Sequence, residues 1–261
     1  MITSEHNERI RRVRALQSRR QARRKARRFV IEGARLVREA ALAGVPVEEV
    51  FYTEAFAASA EGKELLDRLS TLGAVLLPVD EPLMRLMSDT QTPQGILAVL
   101  PDLALAPPAD LSYALIVDGV ADPGNLGTIM RAAAAAAVPL MVITSGTVDP
   151  TNPKVLRSAM GAHFRLPIRQ MSWEGIASRL SEHAIFLASA GGGIPYFKVD
   201  WTQPSALIVG GEAHGPSERA MRLAHTRVSI PMPGGMESLN VAMAASILIF
   251  EMVRQRMERD A

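Results

Sequence analysis

The chain has 261 residues and no cysteine, which excludes disulfide bonds and thiolate metal sites. Hydrophobic residues make up 48% of it and aromatic residues 5%, a composition typical of a soluble globular protein with one large domain or two smaller ones. The apolar run at residues 241–250 is too short to span a bilayer, so we expect a cytoplasmic protein without membrane contact.

Positive charge is concentrated near the start of the chain. Residues 1–28 hold eleven of the 29 Lys and Arg residues but two of the 27 acidic ones, a local charge of +9 within a chain of net charge +2. Apolar residues at helical spacing predict an amphipathic helix followed by a more basic one. Such a segment predicts a polyanionic partner, nucleic acid first and an anionic membrane surface second. The candidate RNA contacts here are Arg23, Arg24, Arg27 and Arg28.

Residues 29–100 alternate between short strands and helices, which predicts a small α/β domain. The predicted strands are 29–31, 50–52, 75–77 and 95–100, and the predicted helices are 34–43, 64–72 and 82–87. Three prolines mark residues 101–110 as a linker.

Residues 111–261 begin with a continuous apolar run of the kind found in buried parallel strands. Strands are predicted at 113–117, 140–143, 184–188, 206–209 and 228–230, and helices at 126–137, 153–160, 173–183 and 217–224. This alternation predicts a parallel sheet covered on both faces, with ligands beyond the carboxyl ends of its strands.

Residues 118–131 follow the first of these strands and contain two candidate site residues. A helix that begins after Asn125 brings Arg131 into its second turn, reaching back toward the strand ends. An Arg there can bind a phosphate or share a proton with a hydroxyl, although neutral Arg is costly. The alternative is structural, with Asn125 as a helix cap and Arg131 on the surface.

Residues 210–217 follow the predicted strand at 206–209. Gly210 and Gly215 have phosphate-loop spacing, but Pro216 and Ser217 replace the required Lys and Ser or Thr, so nucleotide hydrolysis is disfavoured. Glu212 is the better candidate for a charged role, whereas His214 is expected to pack within the loop. No His pair has metal-ligand spacing, so we predict no metal.

Residues 228–251 combine a short strand, a Pro/Gly loop and an apolar helix. Ser238 and Asn240 stand at the entrance of the helix, where short polar side chains cap free amides. Apolar residues on nearly every face predict that the helix is buried, partly against another subunit. An ordinary strand-turn-helix unit is the alternative.

These three segments together resemble the SpoU (TrmH) family of RNA ribose 2'-O-methyltransferases, in the SPOUT superfamily. The motifs are residues 125–131, 210–215 and 230–240. Residues 29–33, 92–95 and 152–157 resemble the ribosomal-RNA branch of the family, whose N-terminal substrate-binding domain is L30e-like.

The resemblance implies a C-terminal domain with a deep trefoil knot that pairs into a homodimer through its terminal helices. It implies S-adenosylmethionine bound mainly by backbone, at Gly210, Ile230 and Leu239, with Ser189, Gly211 and Gly215 beside them. It also implies functional side chains at Asn125, Arg131, Glu212, Ser238 and Asn240, and a phosphate contact at Arg157.

The sequence thus predicts a basic arm (1–28), an L30e-like domain (29–100), a linker (101–110) and a methyltransferase domain (111–261). The predicted reaction transfers a methyl group from S-adenosylmethionine to a ribose 2'-hydroxyl, in 23S ribosomal RNA by resemblance. Transfer RNA is the alternative substrate. A variant of the ribosomal-RNA prediction is methylation that confers antibiotic resistance. The alternative to an enzyme is a non-catalytic RNA-binding protein.

Overall fold

A computed structural model describes residues 1–211 and 215–259. The chain divides into two compact units, residues 1–103 with 149–164 and residues 104–148 with 165–261. Within the described residues, no helix is long and apolar enough to cross a membrane.

The first unit is a four-stranded mixed sheet between helices. Its helices are α1 (Glu8–Ser18), α2 (Arg20–Ala26), α3 (Ala34–Leu42), α4 (Glu54–Ala58), α5 (Ala60–Thr71) and α6 (Glu81–Met87). Its strands are β1 (Arg28–Glu32), β2 (Glu49–Tyr52), β3 (Val75–Pro78) and β4 (Ile96–Pro101), in the order β1-β4-β2-β3. The pairs β1–β4 and β4–β2 are antiparallel, and β2–β3 is parallel.

Alternation along the strands gives this sheet two apolar faces. On one face, Val30 packs in a cluster with Ile10, Val13 and Leu16 of α1. The basic N-terminal segment is therefore anchored in the core through the apolar side of α1.

The other face of the sheet is covered by α3 and α5, and a later part of the chain adds to this cover. The helix Pro153–Ala159, predicted within the second domain, belongs to the first unit. Its Leu156, together with Phe164, lies in one cluster with Phe29 and Ile31 of β1. The prediction also missed α4, a single turn capped by the Thr53 side chain. Such a short helix leaves no periodic pattern.

The second unit is a parallel sheet with helices against it. Its strands are β5 (Tyr113–Asp118), β6 (Met141–Ile143), β7 (Ile168–Gln170), β8 (Ala184–Ala188), β9 (Ile194–Pro195), β10 (Ser205–Gly210) and β11 (Thr226–Ser229). Its helices are α7 (Pro123–Ala135), α9 (Trp173–Arg179), α10 (Glu218–Leu223) and α11 (Val241–Arg259). The helix Pro153–Ala159 of the first unit is α8.

All six strand pairs in this sheet are parallel, in the order β7-β6-β5-β10-β8-β11-β9. Every residue of β5 is buried, which requires cover on both faces of the sheet. The predicted parallel α/β architecture is therefore confirmed. Sequence reasoning missed β7 and β9, which are two or three residues long and not fully buried.

Candidate active site

A cavity of about 410 Å³ opens at the carboxyl ends of β8, β10 and β11 in the second unit. This is the edge of the sheet at which the sequence predicts a ligand. Apolar side chains of Val228, Leu239 and Leu248 form part of the wall. The wall also contains all six residues predicted to bind S-adenosylmethionine: Ser189, Gly210, Gly211, Gly215, Ile230 and Leu239. The structure thus brings these six together, and their binding role stays a prediction.

Two glycines let the backbone close tightly on one side of this cavity. A Cβ atom on Gly210 would lie 2.8 Å from Cα of Pro216, and one on Gly211 would lie 2.4 Å from the carbonyl oxygen of Gly119. Both distances are shorter than real Cβ contacts allow. Any side chain at either position would force the neighbouring backbone apart, so the close approach requires glycine.

Asp118, the last residue of β5, holds the loops around the cavity in place. Its side chain is buried and accepts hydrogen bonds from the Ser217 N–H and the Thr144 hydroxyl, both at 2.8 Å. Its backbone carbonyl accepts the Gly211 N–H at 2.8 Å. Sequence reasoning gave Asp118 no role. The available signal was a carboxylate that ends an apolar strand, where burial demands hydrogen-bonding partners.

Asn240 connects the entrance of α11 to the first turn of α7. Its Oδ1 accepts the backbone N–H of Ala242 at 2.9 Å, and its Nδ2 donates to Oδ1 of Asn125 at 2.9 Å. Asn240 is thus a helix cap, as predicted from its position. The structural alternative for Asn125 is wrong, because the side chain that caps α7 is that of Asp122, which accepts the Asn125 N–H. The two asparagines fix α7 against α11.

Arg131 lies on α7 with its side chain exposed to solvent. Because α7 begins at Pro123 rather than after Asn125, Arg131 falls in the third turn and not the second. Within residues 1–211 and 215–259 its guanidinium has no hydrogen bond or ion pair. Among the predicted catalytic residues that the structure describes, Ser238 lines the cavity, whereas Asn125, Arg131 and Asn240 do not. Glu212 and His214 lie outside the described residues.

The arginines predicted to contact RNA fall into two groups. Arg23 is only 5% exposed and donates to Asp149 at 2.6 and 3.0 Å and to the Leu16 carbonyl at 2.8 Å. The prediction of an RNA contact at Arg23 is therefore replaced by a structural role, because its guanidinium is buried in a salt bridge.

The other four are nearer to solvent. Arg28 donates to Glu48, which raises the pKa of its guanidinium, and Arg157 donates to Asp89 at 2.8 Å. Arg24 and Arg27 are exposed. Arg24 and Arg27 are thus available to a polyanion without breaking an ion pair seen in the described residues.

Comparison with known proteins matches two family models to successive parts of the chain. The SpoU rRNA Methylase family model matches residues 112–250. The chain belongs to the SpoU rRNA methylase family. The resemblance inferred from the three motifs is thereby confirmed. A second model, the MRM3-like substrate binding domain, matches residues 7–98 and so covers most of the first unit.

Relatives in the SpoU family match along nearly the whole chain. The mitochondrial rRNA methyltransferase 3A of Danio rerio is 35% identical, over 95% of this chain and 68% of the relative. The 23S rRNA (guanosine(2553)-2'-O)-methyltransferase RlmP of Bacillus subtilis is 32% identical, over 96% of this chain and 98% of the relative.

A solved structure extends this similarity to the fold. The SpoU methyltransferase AviRb from Streptomyces viridochromogenes, crystallised with S-adenosylmethionine, superposes with a TM-score of 0.88 at 28% identity. The match covers 97% of this chain and 99% of AviRb. Both units of the SpoU family member described here therefore have counterparts in a methyltransferase that binds the methyl donor.

Proposed function

We propose that this protein transfers a methyl group from S-adenosylmethionine to a ribose 2'-hydroxyl in ribosomal RNA, with 23S RNA as the substrate. The observation that carries the proposal is the cavity at the strand ends, lined by all six residues expected to bind the donor. Membership in the SpoU family and similarity to RlmP and AviRb, whose names or complexes specify the substrate or the donor, support it.

The cavity has the size and composition that S-adenosylmethionine requires. Its volume of about 410 Å³ lies within the range of small-molecule sites. Glycine backbone on one side and apolar side chains on the other suit an adenosine group, which needs hydrogen bonds at its edges and apolar contact on its faces. When bound, the donor supplies an electrophilic methyl carbon on a sulfonium sulfur.

The protein's own contribution is alignment and removal of one proton. In an in-line displacement the ribose oxygen forms the bond to carbon while the carbon–sulfur bond breaks, and the hydroxyl proton leaves for a base. We assign Arg131 to orient the RNA, through the hydroxyl or the adjacent phosphate, because it is exposed and has no partner among the described residues. Asn125 and Asn240 hold α7 in position for that contact.

We also propose a homodimer that forms through α11. Met243, Phe250 and Met257 recur every seventh residue on this helix and are 57%, 47% and 68% exposed. Residues seven apart lie on one helix face, so the three form an apolar stripe. Ile249 is fully buried within its own subunit, so Phe250, not Ile249, is the position that tests the interface.

Substitution Phe250→Glu is expected to convert dimers into monomers, because it places a charge in the middle of the stripe. Light scattering at micromolar concentration measures the result. Met221→Glu, at an exposed apolar residue away from α11, is the matched control and should leave the mass unchanged. A monomeric wild-type protein refutes the proposed dimer.

The trefoil knot in the second unit and the cytoplasmic location remain proposals. The strand order of the sheet and the close passage of Gly211 past Gly119 support the knot. The compartment stays open to test, because relatives include a mitochondrial protein.

The test of the proposed reaction uses labelled S-adenosylmethionine with purified 23S RNA, and transfer RNA in parallel. A 2'-O-methyl group blocks alkaline cleavage at its own linkage, so a labelled, alkali-resistant dinucleotide identifies the chemistry and the methylated nucleotide with its 3' neighbour. Label in transfer RNA alone would favour the alternative substrate. A protein that binds RNA but transfers no methyl group to 23S RNA or to transfer RNA would favour the non-catalytic alternative.

A further inference from the structure

The first unit contains a second cavity, with a strongly basic wall. It measures about 490 Å³ and lies between the C-terminal half of α1 and the C-terminal end of α6. The residues that give it its chemistry are Arg11, Arg14, Gln17, Arg19, Met87 and Ser88. We call it the α1 pocket. It lies wholly within the first unit and is separate from the cavity at the strand ends.

A buried amide in the wall of the α1 pocket has no partner. Gln17 is 9% exposed, and neither Oε1 nor Nε2 makes a hydrogen bond within the described residues. Burying an amide without partners is unfavourable, and native structures satisfy such groups with few exceptions. The neighbouring core positions of α1 carry Ile10, Val13 and Leu16, so an apolar residue would have served the packing. The amide at position 17 therefore indicates a hydrogen-bonding ligand.

The charges around the α1 pocket are also uncompensated. Arg14 and Arg19 make no ion pair within residues 1–211 and 215–259, and the partner of Arg11 is His6 rather than an acid. The acidic residue in the wall, Asp89, is bound to Arg157. By contrast, Arg12 on the opposite side of α1 is neutralised by Glu49. An anionic ligand would balance the cationic side.

We propose that the α1 pocket binds one unstacked nucleotide of the RNA substrate. The proposal rests on the proposed function in taking RNA as that substrate. The arginines hold the phosphate, and the Gln17 amide pairs with a base edge that offers one donor and one acceptor. This contact requires the Gln17 side chain to rotate, because both of its polar amide atoms are enclosed in the structure.

The size of the pocket favours a single nucleotide over a helical segment of RNA. A volume of about 490 Å³ is that of a small-molecule site, and proteins read RNA sequence mainly on bases that are splayed out of the helix. The α1 pocket therefore selects a loop, bulge or single strand, and it adds base recognition to the phosphate contacts that the rest of the basic surface supplies.

The experiment measures binding of a fluorescent single-stranded RNA and of a blunt duplex of equal length. The full-length variants are Arg14→Gln and Gln17→Met, with Arg20→Gln as the matched control, since Arg20 is exposed, basic and outside the pocket. We expect both pocket variants to lose about tenfold in affinity for the single strand. Their affinity for the duplex should change no more than that of Arg20→Gln.

Thermal unfolding separates a binding role of Gln17 from a structural one. Because Met removes an unsatisfied buried amide, Gln17→Met should unfold at the same or a higher temperature while binding RNA more weakly. The proposed nucleotide site is wrong if Gln17→Met binds single-stranded RNA with wild-type affinity. It is also wrong if Arg14→Gln and Arg20→Gln lose equal affinity for the single strand. Either result leaves methyl transfer by the wild type intact, whereas a wild type that neither binds nor methylates RNA defeats the proposed function itself.

Discussion

The two units use polar groups in opposite ways. Around the cavity of the second unit, backbone groups at the ends of neighbouring strands form much of the wall, and the buried Asp118 carboxylate holds an adjacent loop. In the first unit, the polar groups that matter are long arginine side chains. Some of them form ion pairs with acids distant in sequence, such as Arg23 with Asp149. A backbone site follows from the fold, whereas the role of an arginine depends on which acid the fold brings beside it.

The largest expected effect belongs to the second unit. Arg131→Ala should lower methyl transfer by about 10²–10⁴-fold, because it removes a group that orients or activates the hydroxyl. Affinity for S-adenosylmethionine should stay within about twofold, since Arg131 does not line the cavity. Calorimetry and a transfer assay on one preparation measure both quantities.

Arg179→Ala is the matched control for Arg131→Ala, because Arg179 is an exposed arginine on another helix of the same unit. It should retain wild-type activity. If Arg131→Ala also stays within a few-fold of wild type, Arg131 has no part in the mechanism.

The next effect tests the buried arginine of the first unit. Arg23→Met should reduce the free energy of unfolding by about 3–5 kcal/mol, because it leaves the Asp149 carboxylate, whose side chain is only 12% exposed, without its ion-pair partner. Urea unfolding measures the change. The slope of log K against log salt for RNA binding should stay as in wild type. A shallower slope would mean that Arg23 contacts an RNA phosphate after all.

Asp118→Asn should have a smaller effect, which combines stability with binding of the donor. The amide keeps one acceptor but turns an NH₂ group toward either the Ser217 N–H or the Thr144 hydroxyl. We expect a loss of about 1–3 kcal/mol in stability and weaker binding of S-adenosylmethionine. Unchanged donor affinity in a destabilised Asp118→Asn protein would mean that the loops around the cavity hold their positions without this carboxylate.

The smallest expected effect is that of Arg24→Gln, the exposed neighbour of Arg23. Stability should not change, because Arg24 has no ion pair within the described residues. If its guanidinium meets a phosphate, the salt slope should become shallower by about 0.7–0.9. RNA titrations at several salt concentrations, with Arg23→Met in parallel, reveal whether the two neighbours differ as the structure implies.

Deletion of residues 1–28 is a poorer test of RNA binding than these single substitutions. Removing residues 1–28 would take Ile10, Val13 and Leu16 out of the core of the first unit along with the charges. Loss of RNA binding in that variant would report unfolding as readily as lost phosphate contacts.

The parallel sheet and the edge at which its cavity opens could be predicted from the sequence for a physical reason. Continuous apolar runs such as 113–117 identify buried strands, and the loops that follow parallel strands meet at one edge. The individual residues of the cavity, such as Ser189, Gly210 and Ile230, followed instead from the resemblance to the SpoU family.

The roles of individual polar side chains could not be predicted in the same way. Nothing in the local sequence distinguishes Arg23, buried on Asp149, from Arg24 beside it, because the partner is 126 residues away. The cap of α7 at Asp122 rather than Asn125 is a choice between two good capping residues three positions apart. Gln17 lies among basic residues in the sequence, and no local pattern marks it as buried.

The closure of the first unit by residues 149–164 also has a consequence for synthesis. On the ribosome the four strands of that unit emerge first, but Leu156 and Phe164, which complete one of its clusters, follow only after β5, α7 and β6 have been made. Until then the nascent first unit leaves exposed the part of this apolar cluster that Leu156 and Phe164 cover. A chaperone that binds apolar segments would find its target in this interval, and a gene fragment that encodes only residues 1–103 would extend that exposure indefinitely.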